Sequence, residues 1–298
     1  MIRDLTRGPV VSQLFRFALP LFVSNALQAL YNLVDMVVVG NYIGPAGMSA
    51  VSIGGDILHL LTFVAMGFSS AGQVIIARSI GAGRLDEVKK TIGTMFTFLL
   101  SVSVVIAVLC FCIRDSVLRW LNTPEAAMKY TMDYMVTCVC GLIFIYGYNI
   151  VSAILRGMGD SVHPFIFISL AAVLNIALDL LFVLKLGLGA GGAALATVIS
   201  QGVSCISCTV FIYRHRRQYG VSVSLKEFLI PDRAMLSKLV KLGIPMAIKA
   251  ASVRFSKLFV NSWINSYGVA VSAFAGIANN FGQTTNLLSN AFNTAGAS

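Results

Sequence analysis

The sequence predicts an all-α polytopic membrane protein built from two parallel six-helix repeats. We expect this chain to hold the complete N-terminal lobe and the first two helices of the C-terminal lobe. Composition is the first reason: hydrophobic residues make up 57% of the 298 residues and charged residues only 11%, whereas soluble domains typically carry about 25% charged residues. The mean hydropathy of +0.83 agrees. Long apolar runs and an internal repeat are the other two reasons.

The apolar runs have the length of about 20 residues that a helix needs to cross a bilayer. We expect a short interfacial helix between spans three and four, with Trp120 as its anchor in the headgroup region. The domain boundaries follow: an N-terminal lobe over 1–213, a basic cytoplasmic linker over 214–238 and the start of a C-terminal lobe over 239–298. The predicted spans are Leu14–Val39, Met48–Ala77, Ile92–Ile113, Thr131–Leu155, Phe165–Leu184, Gly191–Tyr213, Leu239–Tyr267 and 269–298.

The net charge of +10 lies mainly between the spans. That distribution is typical of membrane topology and argues against a nucleic-acid partner. Because cytoplasmic loops are enriched in Lys and Arg, it places the N-terminus in the cytoplasm. The resemblance described below implies a bacterial or archaeal plasma membrane. The basic, amphipathic start runs directly into a full span, so we expect no cleavable signal peptide. In this orientation the basic residues on the outer side are Arg114, Arg119, Lys129 and Lys185.

The internal repeat relates spans one and two to spans seven and eight. LFRFALP at Leu14–Pro20 recurs as LVKLGIP at Leu239–Pro245, and FSSAG at Phe68–Gly72 recurs as FNTAG at Phe292–Gly296. Each unit would contain six helices, so the two units have the same orientation in the membrane. Parallel repeats of this kind are typical of transporters that alternate access between two lobes. Since only two helices of the second unit are present, we expect the chain to be C-terminally truncated.

Two intramembrane acids mark a candidate ion site in the first unit. Asp35 and Asp179 each lie about 22 Å along their helix from a proline, Pro20 and Pro164 respectively, at 1.5 Å per residue. Asn175 precedes Asp179 by one turn, and Thr197 falls at a similar depth in span six. A charged side chain inside a bilayer costs about 2.5–3.5 kcal/mol on insertion scales, so such acids usually take part in ion binding or transport.

These four residues could bind either a proton or Na⁺. Apolar surroundings and a second carboxylate favour a protonated carboxyl group, while carboxylate, amide and hydroxyl oxygens also suit a hard cation. The spacing does not distinguish the two ions. The six cysteines lie in apolar segments without clustered His or carboxylate partners, so we expect no resident metal, no cofactor and no enzymatic activity.

Polar and basic residues in the spans that flank the lobe interface predict a solute cavity. Span eight carries a polar stripe at i, i+4, i+7 and i+11 on an otherwise apolar helix, and lipid would leave its amides without partners. Span two contributes an acid and a histidine one turn apart, and span seven contributes basic residues. The candidate cavity residues are Asp56, His59, Lys249, Arg254, Asn279, Gln283, Asn286 and Asn290.

The sequence resembles the multidrug and toxic compound extrusion (MATE) family, and within it the DNA-damage-inducible F-like branch. The resemblance covers nearly the whole chain, through the span-one segment ending NLVDMVVVG, GAGRLDEVKK, ILRGMGDS, NIALDLLFV and GAGGAALATVIS. It implies twelve helices in two lobes that exchange protons or Na⁺ for organic solutes. It also implies a cation site at Asp35, Asn175, Asp179 and Thr197, and a helix hinge at Pro20. One departure is Val253, where many members of other branches carry a glutamate.

The predicted function is therefore a monomeric, cation-coupled antiporter that exports amphipathic, cationic organic solutes through the bilayer by alternating access. A flippase of the same superfamily, moving a lipid-linked polar headgroup, is the alternative that the basic residues of span seven favour. A channel or a non-transporting receptor would need a continuous pore or a soluble sensor domain, and the sequence suggests neither.

Overall fold

A computed structural model describes residues 10–121, 123–215, 231–265, 291–292 and 294–296. The described residues form helices and short turns without strands, which confirms the all-α prediction for this part of the chain. A π-helical segment, Leu180–Lys185, directly continues the sixth helix. The α-helices are α1 (Val10–Ile43), α2 (Pro45–Gly81), α3 (Leu85–Trp120), α4 (Glu125–Cys140), α5 (Leu142–Gly157), α6 (Val162–Asp179), α7 (Gly189–His215) and α8 (Arg233–Asn265).

Six membrane crossings account for the first predicted lobe. Within the described residues, five helices are long and apolar enough to cross a membrane, and α4 and α5 together form a sixth, bent span. They coincide with the first six predicted spans. The more basic α8 covers much of span seven, whereas most of span eight lies outside the described residues.

The fourth span is broken, which the sequence analysis did not predict. α4 and α5 meet at Gly141 with a bend of 50°. A Cβ atom at Gly141 would lie 2.3 Å from a methyl group of Val198. The missing side chain therefore lets α7 pack closely against the break.

The predicted interfacial helix before span four is wrong. α3 continues without interruption to Trp120, which is 80% exposed, and α4 begins at Glu125 directly after Pro124. Proline at a helix start is favourable because it lacks the backbone N–H that would have no partner there. The segment consequently extends two spans instead of forming a separate helix.

One end of the bundle collects the turns between α2 and α3 and between α5 and α6, together with the start of α8. We call it the basic end. Arg78, Arg84, Lys89, Lys90 and Lys238 lie there. It is the end that the charge distribution assigns to the cytoplasm.

Helix α2 is the centre of the packing, since it contacts α1, α3, α4, α5 and α8. The main core includes Phe68, Ile76 and Met95, and the Tyr146 hydroxyl donates a hydrogen bond of 2.8 Å to the carbonyl oxygen of Leu61. Burial of this apolar surface positions the other helices of the lobe around α2.

The two repeats meet through reciprocal helix pairs. α2 crosses α8 at Gly67, where an added Cβ would lie 2.6 Å from the backbone of Ala247. α1 packs against the short described piece of span eight in a cluster that includes Ala18, Phe22 and Ala291. Gly67 and Ala291 are equivalent positions in the predicted repeat, as are Phe22 and Ala247. The contacts therefore follow the internal symmetry of the sequence.

Candidate functional site

The structure brings the four predicted ion-site residues together from three helices. Asp35 lies on α1, Asn175 and Asp179 on α6, and Thr197 on α7. Their exposed fractions are 2%, 2%, 0% and 6% in that order. Because every residue adds the same rise along a helix, counting residues from the start of each span predicts that these side chains lie at a similar depth in the membrane.

Two hydrogen-bond donors are directed at Asp35. The Asn175 amide is oriented so that its Nδ2 donates to Asp35 Oδ1 at 3.1 Å and its oxygen accepts from the Thr197 backbone N–H at 3.3 Å, because the reverse orientation would place acceptor against acceptor. The Thr197 hydroxyl lies 3.4 Å from Asp35 Oδ2 and donates a long hydrogen bond. Such donors favour the ionised form of a carboxyl group.

Asp179 has a different environment. Its carboxyl group interacts with that of Asp35, yet neither of its oxygens accepts a well-formed hydrogen bond from the residues that the structure describes. Two ionised carboxylates have no hydrogen atom to share, and a buried acceptor without a donor is costly. A proton or a small cation at Asp179 would remove that cost.

The local sequence explains why the three helices can converge. α7 starts with small residues, and Ala190, Ala193 and Ala194 pack in one buried cluster with Val39 of α1 and Val183 of the π-helical segment. Small side chains permit a close approach of helix backbones. The π-helical segment begins directly after the second acid of the site, and such segments occur frequently at functional sites.

Tyr31, Ser200 and Gln201 belong to the same site, although sequence reasoning did not select them. The Tyr31 and Gln201 side chains interact, and the Ser200 hydroxyl has no hydrogen-bond partner among the described residues. Their helical spacing could have indicated this, because Tyr31 lies one turn from Asp35 and Ser200 lies one turn from Thr197. A narrow cleft beside the acids, too tight to hold a water molecule in this conformation, is lined by Tyr31, Ala171, Asn175, Thr197, Ser200 and Gln201.

The candidate cavity residues are only partly described. Asp56 and His59 are exposed on α2. Asp56 precedes Gly67 by eleven residues, which is about three helical turns, so the two residues lie on the same face of α2. At Gly67 this face of α2 packs against α8. Lys249 is exposed on α8, and the Arg254 backbone belongs to the same helix. Outside the described residues lie the Arg254 side chain and the whole of Asn279, Gln283, Asn286 and Asn290.

Pro20, the predicted hinge, lies inside α1, which continues through it. Proline cannot donate the backbone hydrogen bond of a regular helix and weakens the helix locally. The Ser24 hydroxyl donates to the Pro20 carbonyl oxygen at 2.8 Å. The bending predicted for this position would therefore start from a helix that is intact but weakened.

A resident metal was not expected from the sequence. No group of three or more His, Cys, Asp or Glu side chains suited to a metal ion occurs in the described part of the chain. The ion-site acids form a pair, and their other neighbours are an amide and a hydroxyl. Such a set suits a transient proton or monovalent cation.

Comparison with known proteins identifies one family. The MatE family profile matches residues 20–181. The chain is 30% identical over 279 residues to YpnP, a probable multidrug resistance protein of Bacillus subtilis (strain 168), covering 92% of this chain and 61% of that protein. It is 25% identical over 271 residues to the multidrug export protein MepA of Staphylococcus haemolyticus (strain JCSC1435), covering 90% and 59%. The chain thus spans about three fifths of these relatives.

Solved structures agree with the sequence comparisons. An outward-facing multidrug resistance MATE family transporter of the MOP superfamily superposes with a TM-score of 0.90 at 26% identity, covering 98% of this chain and 64% of that chain. A MATE in a bent conformation gives a TM-score of 0.90 and one in a straight conformation 0.89, both at 26% identity and covering 98% of this chain and 65% of theirs.

Proposed function

Because the chain belongs to the MatE family, we propose that it forms the first lobe and part of the second lobe of a cation-coupled antiporter that exports organic solutes. The observation that carries the proposal is the buried pair Asp35 and Asp179, in which one acid receives donors and the other receives none from the described residues. The multidrug resistance and export proteins among its relatives support efflux as the direction of transport.

The coupling step follows from this asymmetry. A proton on Asp179 supplies the missing hydrogen atom between the two carboxyl groups and neutralises one of two like charges in an apolar site. Its departure restores the repulsion, so protonated and deprotonated sites stabilise different arrangements of α1, α6 and α7. A proton suits this pair better than Na⁺, because only a proton supplies a hydrogen atom that one carboxyl group can donate to the other.

The solute would bind between the lobes, beside the face of α2 that carries Asp56 and His59. A carboxylate exposed on this face favours cationic, amphipathic solutes. In this proposal the protein works as a monomer in the plasma membrane. Its basic end faces the cytoplasm, because cytoplasmic loops of membrane proteins are enriched in Lys and Arg.

A second candidate is a flippase for a lipid-linked polar headgroup. The basic residues Lys249 and Arg254 of α8 support it, because they suit an anionic group better than a cation. A structural relative from Pyrococcus furiosus, with a TM-score of 0.89, is described as having a binding pocket of reverse polarity that suggests a different function.

Flux measurements in vesicles test the proposal. The complete protein, Asp35→Asn and Asp179→Asn are reconstituted, and movement of a fluorescent organic cation is followed under an imposed proton gradient and then a sodium gradient. We expect a proton gradient to drive transport in the unmodified protein and both variants to lose the coupling. If only the sodium gradient drives transport, the coupling ion is Na⁺ and not the proton.

The same preparation separates the two candidate functions. If neither gradient moves the cation, or if the variants behave like the unmodified protein, the antiporter proposal is wrong. Translocation of a fluorescent anionic lipid between leaflets then tests the flippase directly. Loss of that activity in Lys249→Ala would favour the second candidate.

A further inference from the structure

Gln73 joins the two repeats at the basic end. It lies on α2 with only 1% of its surface exposed. Its Nε2 donates a hydrogen bond of 3.0 Å to the carbonyl oxygen of Thr294, which belongs to the second repeat. Its Oε1 accepts a hydrogen bond of 3.1 Å from Nε of Arg156 on α5.

Arg156 determines which way the Gln73 amide points. A guanidinium group has donors only, so the amide oxygen must face it and the amide nitrogen must face away. The nitrogen is thereby directed at Thr294. Arg156 also donates to the Ser152 hydroxyl within its own helix, and no carboxylate among the described residues pairs with it. Its charge therefore acts mainly on neutral neighbours.

Two further ion pairs connect the first repeat to the residues at the start of α8. Lys238 Nζ of α8 lies 3.4 Å from Glu87 Oε2 of α3, and Lys90 Nζ of α3 lies 3.3 Å from Asp232 Oδ2. The Asp232 backbone N–H also donates to the Thr94 hydroxyl at 2.9 Å. All of these contacts lie at the basic end.

The Asp232 carboxylate is held by two backbone N–H groups as well as by Lys90. Its Oδ1 accepts from the backbone N–H groups of Ala234 and Met235 at the start of α8. The Met235 N–H, and then the Lys90 ammonium group, lower the pKa of this carboxyl below its usual value. The ion pair with Lys90 therefore persists below the pH at which an ordinary aspartate would be protonated.

We propose that these contacts form the gate that closes the basic end, with Arg156 as the positioning residue that orients Gln73 toward Thr294. The gate rests on the proposed transport function, since alternating access requires both ends to open. Opening at the basic end separates Gln73 from Thr294 and breaks both ion pairs. The contacts within the first repeat, Arg156 to Ser152 and Arg84 to Glu87, remain intact.

Gln73→Glu tests the buried part of the gate. Glutamate still accepts from Arg156, now as a charged partner, but it cannot donate to Thr294 and would place a carboxylate oxygen against the Thr294 carbonyl oxygen, so the contact between the repeats is lost. Ser152→Ala is the matched control, because it removes the contact of Arg156 that stays within α5. Amide hydrogen exchange of the complete protein is measured by mass spectrometry over 70–77 and 233–240. We expect about fivefold faster exchange there in Gln73→Glu, and an unchanged rate in Ser152→Ala.

The ion pairs offer a control in which two basic residues share one carboxylate. Arg84 and Lys238 both lie 3.4 Å from the Glu87 carboxylate, but only Lys238 lies on α8, the helix that leads into the second repeat. We expect Lys238→Ala to speed exchange over 233–240 about twofold at low ionic strength, with the effect lost at high salt. Arg84→Ala should leave this exchange unchanged.

The outcomes separate the gate from the transport function. Equal exchange in Gln73→Glu and Ser152→Ala, together with equal exchange in Lys238→Ala and Arg84→Ala, would overturn the gate. Because exchange is measured without solute, a shift in the predicted variants supports the gate even if the flux assay fails. Arg156→Lys completes the test: it keeps the charge but loses the planar fork, and its exchange should resemble that of Gln73→Glu.

Discussion

At the scale of single residues, the two buried acids differ in their hydrogen bonding. Asp35 has donors from Asn175 and Thr197, so it can remain ionised inside the lobe. Asp179 has none from the described residues, and its charge lies against that of Asp35. Removing a proton from this pair would therefore create repulsion that a bound cation or a rearrangement of α1, α6 and α7 relieves.

Asp179→Asn removes this repulsion permanently. We expect the variant to be more thermostable than the unmodified protein at neutral pH, with Tm higher by a few degrees, because one of two buried like charges is gone. Acidification should raise Tm of the unmodified protein, since it protonates the pair, and should raise that of the variant much less. Thermal unfolding between pH 5 and 8 measures both effects.

Asp133→Asn is the control for this prediction, because Asp133 is an exposed acid on α4. Its thermal unfolding should follow that of the unmodified protein at every pH. A Tm for Asp179→Asn below that of the unmodified protein would show that the ionised form of Asp179 is stabilised by contacts beyond those described above.

At the scale of helices, the crossing of α2 and α8 depends on the absence of a side chain at Gly67. In Gly67→Ala the new methyl group would lie 2.6 Å from the Ala247 backbone, which cannot move aside locally. We expect this variant to separate the repeats, lowering Tm by several degrees and speeding hydrogen exchange in α8. Differential scanning fluorimetry and exchange measurements test it.

Gly72→Ala is the matched substitution on the same helix. Its Cβ would meet the flexible end of Met95, at 2.2 Å from the sulfur, and this side chain can rotate away. We expect a smaller loss of stability and no change in exchange of α8. Equal effects of the two substitutions would contradict the importance of the helix crossing.

Pro20 should control the flexibility of α1. In Pro20→Ala a backbone N–H returns to the middle of the helix and can complete the regular hydrogen-bond pattern. We expect this variant to be at least as stable as the unmodified protein but several-fold slower in transport, because bending of α1 becomes less favourable. Initial rates in the vesicle assay measure it, and an unchanged rate would remove Pro20 from the mechanism.

The sequence predicted those parts of the fold that depend on helix length and periodicity. The common depth of Asp35 and Asp179 follows from counting residues from a proline, since every residue adds the same rise. The break at Gly141 could not be derived in this way, because it depends on how closely Val198 of another helix approaches. Likewise, the contact of Gln73 with Thr294 joins residues 221 positions apart in the chain.

At the scale of the whole molecule, the charge distribution predicts orientation. In a background without native cysteines, we expect a membrane-impermeant maleimide added to intact cells to label Leu186→Cys, which replaces an exposed residue before α7. It should not label Asp86→Cys at the basic end. Inverted vesicles should give the opposite pattern, and labelling of both positions from one side would contradict the predicted topology.

The reciprocal pairing of α2 with α8 and of α1 with the piece around Ala291 has an evolutionary consequence. A surface that pairs with its own copy after a rotation of about 180° is the interface of a symmetric homodimer. An ancestor made of one six-helix repeat with this surface would have bound a second copy of itself in the same membrane orientation. Duplication and fusion of its gene would then have freed the halves to diverge. Asp35 and its counterpart Val260 illustrate that divergence, because only one of the two descendants carries the acid.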